Sequence, residues 1–158
     1  MSKDAVLKLI KDEDIDYVDI RFTDVRGKLQ HVTVVADLVD EDFLEEGFMF
    51  DGSSIAGWKS IEASDMKLMP DTESAYVDPF YAEKTLCIHC SVVEPDTGES
   101  YDRDPRGTAE KAEAYLKSSG IGDVAYFGPE AEFFIFDDVR FSNTINKVSY
   151  QVDAVDAS

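Results

Sequence analysis

Residues 17 to 35 read YVDIRFTDVRGKLQHVTVV, two alternating runs about one turn, and this pattern restricts the fold more than any other stretch. Side chains on a strand point to opposite faces in turn, so Val18, Ile20 and Phe22 fall together on one side of the first run. Asp24-Val25-Arg26-Gly27 supplies turn residues, and Lys28 to Val35 reads as the returning strand of a hairpin. A two-stranded ribbon cannot hide an apolar face alone, so another layer must cover it. Asp37 to Glu46 offers that layer: its spacing predicts an amphipathic helix with Leu38, Val39, Phe43 and Leu44 inward and Gly47 ending it. A short helix before the hairpin is capped by Ser2 and repeats Val6, Leu9 and Ile10 at helical spacing.

Further along, FMFDGSSIAGW between Gly47 and Trp58 reads as a loop rich in Gly and Ser. Met66 and Leu68 predict a short strand before Pro70, and Leu86 to Val92 a longer one. Hairpin, helix and further strands in this order make a small α+β roll rather than a chain of βαβ units. A boundary is expected near YDRDPRG, where Asp104 caps a helix, Pro105 occupies its first turn and Gly120 stops it. Ala109, Ala112, Tyr115 and Leu116 share one side of that helix, and Glu113 and Lys117 form an i,i+4 pair. A strand is predicted from Ala125 to Asp137, followed by a polar tail with one strand around Val148 to Val152.

With 44% hydrophobic residues, the 158-residue chain can build a core. Its 34 acidic against 15 basic residues, net −19, argue against a nucleic-acid or anionic-membrane partner bound through a basic surface. Charges interrupt every apolar run near the N-terminus and no run reaches a membrane span, so the chain reads as cytoplasmic. Cys87 and Cys90 sit in CIHC, but alternation sends their thiols to opposite faces, and no second Cys or His pair accompanies them. Strand packing is the expected role.

The stretch FGPEAEFFIF carries the sharpest chemical question. On a strand, Glu130 and Glu132 share a side with Phe134 and Phe136, while Ala131, Phe133 and Ile135 take the other. Both faces are apolar, as in a strand buried on both sides. Two carboxylates about 7 Å apart repel by roughly 2 kcal/mol at an effective dielectric of about 20, so burial calls for compensation. A divalent cation would give it, since carboxylate oxygens suit Mg²⁺ or Mn²⁺; a solvated sheet edge is the alternative. Asp51 in FDGSSI reads equally as a turn residue, Asp-Gly being a common turn dipeptide.

MFDGSSIAGWKSIEASDMKLMPD, then YDRDPR, then FGPEAEFFIFDDVRF, in that order, resemble the glutamine synthetase family of the bacterial dodecameric type, over essentially the whole chain. Family members run to several hundred residues, so the resemblance covers the N-terminal third. It implies a β-grasp N-terminal domain over 1–103 and the start of the catalytic domain over 104–158. It also implies an ATP-dependent ligase that phosphorylates glutamate to γ-glutamyl phosphate and lets ammonia displace the phosphate, with two divalent cations per site, Mg²⁺ or Mn²⁺. Under the resemblance Glu130 matches a ligand of the ion on the ATP phosphates and Glu132 a ligand of the ion beside glutamate. Asp51 matches the aspartate that binds ammonium and takes its proton. Family sites lie between subunits of a homo-oligomer, where Trp58 and Asp65 would line the junction. The family's remaining metal ligands and its ATP-binding and glutamate-binding residues would lie beyond Ser158, and Arg103 and Arg106 are expected to serve the acidic surface or the helix start. The competing reading is a non-catalytic β-grasp module that associates with synthetase subunits.

Overall fold

The computed structural model of the chain describes residues 1–60, 62 and 64–155. Ile61 and Ala63 of the long motif, and the last three residues of the expected second domain, lie outside the described residues. Contacts divide the chain into two units, Met1–Val124 and Ala125–Ser158.

In the first unit, α1 (Lys3–Asp12) starts where expected, with Ser2 Oγ accepting a hydrogen bond from the Ala5 amide at 3.2 Å. The hairpin follows as β1 (Tyr17–Thr23) and β2 (Leu29–Val35), antiparallel, with Val18, Ile20 and Phe22 buried on one side. The predicted helix over 37–46 is divided. The Asp40 carboxylate accepts from the Phe43 amide at 2.8 Å and starts α2 (Glu41–Glu46) only after itself, while Ala36–Leu38 makes a single 3-10 turn. Val39 and Leu44 still enter the core, but Leu38 turns outward and is 60% exposed, because the extended Val39 breaks the helical phase.

Part of the expected loop after Gly47 is a strand, β3 (Phe48–Asp51). Its backbone pairs antiparallel with β4 (Asp65–Pro70), so Phe48 and Phe50 pack against the core while Met49 faces out. A two-residue strand, β5 (Tyr76–Val77), and β6 (Thr85–Val93) complete the sheet. Its order is β2-β1-β6-β4-β3, and β5 pairs with β6. β1 runs parallel to β6, whereas β4 and β5 run antiparallel to it. The fold is α+β, as expected.

The central strand follows the alternation read from sequence. Leu86, Ile88, Cys90 and Val92 are buried with Val6, Leu44, Met66 and Leu68. Each such aliphatic side chain contributes about 1.5–3 kcal/mol through removal from water. The other face is polar and internally paired. Asp19, 1% exposed, accepts from Arg21 Nε at 2.8 Å and from Thr33 Oγ1 at 2.7 Å, and Arg21 also reaches Asp78 at 3.0 Å. Burial raises the Asp19 carboxyl, but donors from Arg21, Thr33 and His31 outweigh it and hold the group below its ordinary value. Cys87 lies on this face, its thiol pushed up to about 11 by burial, and burial in the core raises Cys90 as well. The two thiols point to opposite sides of the strand.

Helix α3 (Pro105–Ser119) has the predicted ends: Asp104 caps it, Pro105 sits in its first turn and Gly120 closes it in the left-handed region. The Asp104 carboxylate does two things at once, accepting from the Arg106 amide at 3.0 Å and from the Val92 amide of β6 at 2.9 Å, while only 1% exposed. It ties the helix start to the central strand. Asp104→Ala should therefore leave a buried amide unpaired and remove the cap, lowering stability by about 2–4 kcal/mol. Urea unfolding followed through the single tryptophan should show a lower midpoint at an unchanged slope. The predicted apolar side of α3 is uncovered, with Tyr115 71% exposed. Arg106 pairs with Asp71 and Glu110, as its expected role required.

The second unit departs most from expectation. No strand forms over 125–137; Glu130, Glu132 and Phe133 to Phe136 are exposed, as expected where too few neighbouring strands are present to cover both faces. The strands present are β7 (Asp138–Thr144) and β8 (Lys147–Asp153), an antiparallel hairpin that includes the expected strand near 148–152. The reason lies in pairing. A strand exists through a neighbour's amides and carbonyls; β7 and β8 satisfy each other, the Asp137 amide donates to the Asp153 carbonyl at 2.8 Å, and segment 125–136 joins no ladder among the described residues. Phe134 and Phe136 nonetheless stack at 6.0 Å, consistent with an extended backbone that sends i and i+2 the same way.

Candidate functional site

Asp51 ends β3 on its outward side, because alternation puts Phe48 and Phe50 on the core side and Met49 and Asp51 on the other. Directly across the ladder is Asp65, the first residue of β4, so the structure brings two of the expected site residues into register. Lys67, opposite Met49, shares the face. Two carboxylates opposed on one face repel, a local cost of the kind found where charge is wanted for function.

The turn after Asp51 is tightly built. Asp51 Oδ1 accepts from both the amide and the hydroxyl of Ser53, at 2.9 and 2.6 Å. The side-chain bond from Ser53, then its amide, hold the Asp51 carboxyl below its ordinary value against a smaller opposing effect of desolvation, with Ser64 adding to the lowering. Asp51 is thus an ionised, exposed carboxylate. Gly52 is buried, and its amide donates to the Ser64 carbonyl at 2.7 Å. A Cβ there would lie 2.4 Å from Met66 Sδ and 3.0 Å from the Ser64 carbonyl, so glycine is what lets the turn press onto β4.

Trp58 points inward. Its ring is 6% exposed and packs against Phe22, Phe50 and Tyr101 at centroid distances of 5.5, 6.2 and 5.4 Å. Arg103 donates to the Gly57 carbonyl, and to that of Trp58 at 3.4 Å, so its role is to hold this loop rather than to pair with an acid. Ser53, whose hydroxyl with that of Ser54 is expected from the motif to shape the loop, does so through Asp51, whereas Arg103 does not stand out in the sequence as a partner of this loop. For Ser53 the Asp-Gly-Ser spacing was an available signal, since an aspartate commonly accepts from the amide two residues on. Arg103, 45 residues from Trp58, had none. Asp65 also lines an open cleft of about 450 Å³ with Lys59, Glu62, Ser64, Glu94 and Asp96, where Lys59 and Glu94 pair at 2.7 Å.

Glu130 and Glu132 belong to the second unit and Asp51, Trp58 and Asp65 to the first. The two glutamates are exposed oxygen donors of the right chemistry for Mg²⁺ or Mn²⁺. Among the described residues no group of three or more His, Cys, Asp or Glu side chains could hold an ion. The donors fit in kind and fall short in number. Among the described residues, too, no helix is long and apolar enough to cross a membrane.

Comparison with known proteins agrees with the motifs. The family model described as glutamine synthetase, beta-Grasp domain, matches residues 14–95, and that described as glutamine synthetase, catalytic domain, matches 102–158. A glutamine synthetase of Cereibacter sphaeroides is 81% identical over 98% of the chain, and one of Rhodobacter capsulatus 77% over 94%. The chain spans about a third of the length of these curated relatives, 33% and 34%. A glutamine synthetase structure from Plasmodium falciparum superposes with a TM-score of 0.73 at 24% identity, over 97% of the chain and 30% of that protein, a likeness of fold.

Proposed function

Because this chain belongs to the glutamine synthetase family, in its bacterial form, we propose that it supplies the N-terminal third of an ATP-dependent glutamate-ammonia ligase, its β-grasp domain over 1–103 and the start of the catalytic domain over 104–158. The observation that supports this best is the run of both family segments through one chain, 14–95 and then 102–158, at 81% identity to a bacterial relative. The parent is a cytoplasmic homo-oligomer, a dodecamer, with each site between neighbouring subunits.

In the proposed reaction a γ-carboxylate oxygen of glutamate attacks the γ-phosphorus of ATP and ADP leaves. Ammonia then attacks the acyl carbon and phosphate leaves. Ammonium has no lone pair, so its proton must be taken first, and an ionised, exposed carboxylate is suited to hold the cation and accept that proton. Asp51 has both properties. Asp65 stands opposite it on the ladder, and Trp58, buried against Phe22, Phe50 and Tyr101, holds the loop from beneath. Glu130 and Glu132 would hold one cation each, the first on the ATP side and the second on the glutamate side. Divalent ions there supply neutralisation of the phosphoryl oxygens and polarisation of the acceptor. Segment 125–136 joins no ladder among the described residues, and both carboxylates are exposed on it.

The test replaces each glutamate by alanine in a full-length enzyme, made by substituting residues 1–158 for the corresponding third of the Cereibacter sphaeroides relative. Each change should raise the Mn²⁺ concentration giving half-maximal glutamine formation by about tenfold or more, in line with the loss of one charged oxygen ligand. An unchanged metal dependence in both variants would remove the assignment. The alternative, a module that only associates with synthetase subunits, predicts no effect of either change on turnover.

A further inference from the structure

The Asp51 carboxylate is not free to turn, because one of its oxygens, Oδ1, takes both donors of a single residue, the Ser53 amide and hydroxyl. Below it, Gly52 is clamped between the Ser64 carbonyl and Met66, so the turn carrying these donors is anchored to β4. We infer that Ser53 is a positioning residue for the ammonium step: it fixes the plane of the carboxylate through Oδ1 and leaves proton acceptance to Oδ2. The inference rests on the reading of Asp51 as the group that binds ammonium and takes its proton.

The step balances simply. An N–H bond of ammonium breaks, its electron pair stays on nitrogen, and the proton passes to Oδ2, giving neutral ammonia with a lone pair to attack the acyl carbon. A carboxylate that rotated would present either oxygen, at varying angles, to a cation it must both hold and deprotonate, and misplacement of that kind is expensive for catalysis. Two other charged groups share the face. Asp65 stands opposite Asp51, and Lys67 opposite Met49. Neither donates to Asp51 Oδ1, and the Ser64 side chain has the smallest effect on this carboxyl, so the orientation depends chiefly on Ser53.

The experiment uses the full-length enzyme described above and compares two nucleophiles. Hydroxylamine carries a free lone pair at neutral pH and needs no deprotonation before attack, so a residue that serves proton removal should matter for ammonium and little for hydroxylamine. Ser53→Ala should lower kcat/KM for ammonium about tenfold, the scale of one hydrogen bond to a charged group, and change the hydroxylamine reaction by less than about twofold. Ser53→Thr, which keeps the hydroxyl, should return the ammonium value to within about threefold of the parent. Equal loss with both nucleophiles would show a merely structural role, and no loss with ammonium would show no role; either overturns the inference. Asp51→Ala measured in parallel separates the two claims. If that change cripples the ammonium reaction while Ser53→Ala does not, the carboxylate reading stands and the inference about Ser53 falls. If Asp51→Ala is fully active, both fall.

Discussion

Residues 1–158 alone, given glutamate, ammonium, ATP and Mn²⁺, should form no glutamine above the uncatalysed rate. Ligand counting leads to this result. Mg²⁺ takes six oxygens in near-octahedral array and Mn²⁺ favours similar oxygen donors, whereas Glu130 and Glu132, assigned to different ions, provide one side-chain ligand each. No larger cluster of ligating side chains exists among the described residues. Asp51 has an ionised carboxylate ready, but a base accelerates a reaction only when the electrophile is held within reach, and that positioning is worth as much as the proton transfer itself. The chain corresponds to 33% of its Cereibacter sphaeroides relative, and the full-length enzyme assayed beside it should be active. Turnover by the 158-residue chain at saturating ATP would show that the proposed division of the site is wrong.

The second large effect is expected from Asp51→Ala in the full-length enzyme. Losing a positioned general base costs about 10²–10⁴-fold in rate, and the fall should appear with ammonium far more than with hydroxylamine. Asp51→Asn separates charge from shape, since an amide oxygen can still accept from Ser53 but cannot attract a cation or take its proton at neutral pH. It should be nearly as slow as the alanine variant. The pH dependence has a definite sign. Bonds from Ser53 lower the Asp51 carboxyl from its ordinary value of 3.8, so the group stays ionised as pH falls through that value and loses function only below it. Any decline of activity between about pH 5 and 7 must then arise from a different group, because a carboxylate with a depressed value has already lost its proton there. An acid limb near neutrality that vanishes in Asp51→Asn would contradict this assignment.

The parts of the fold legible in the sequence are those set by near neighbours. The Ser2 and Asp104 caps, the Gly120 stop, the faces of β1 and β6 and the Glu113–Lys117 pair at 2.6 Å all depend on residues a few positions apart. The helix expected over 37–46 starts only after Asp40 because its carboxylate accepts from the Phe43 amide, a local capping bond that competes with the apolar periodicity. FMFD was hidden for another reason. Glycines and serines around it signal a loop, and only the ladder to β4 makes it a strand. That ladder also sets Asp65 across from Asp51, although the two lie 14 positions apart in the chain.

For the candidate site the division is similar. The motifs around Asp51, Glu130 and Glu132 identified family and chemistry directly, because a side chain's acid-base character and ligand preference are its own. The Asx-like turn at Asp51 was also within the chain's local grammar. Tertiary structure alone decided that Trp58 is core, that Arg103 holds the loop at Gly57 and Trp58, and that Gly52 must be small against Met66. It decided as well that FGPEAEFFIF, alternating as a strand should, stays unpaired and exposed. Alternation is a property of the segment, but a β-strand is completed by another segment's hydrogen bonds, and those depend on which chain is there to provide them.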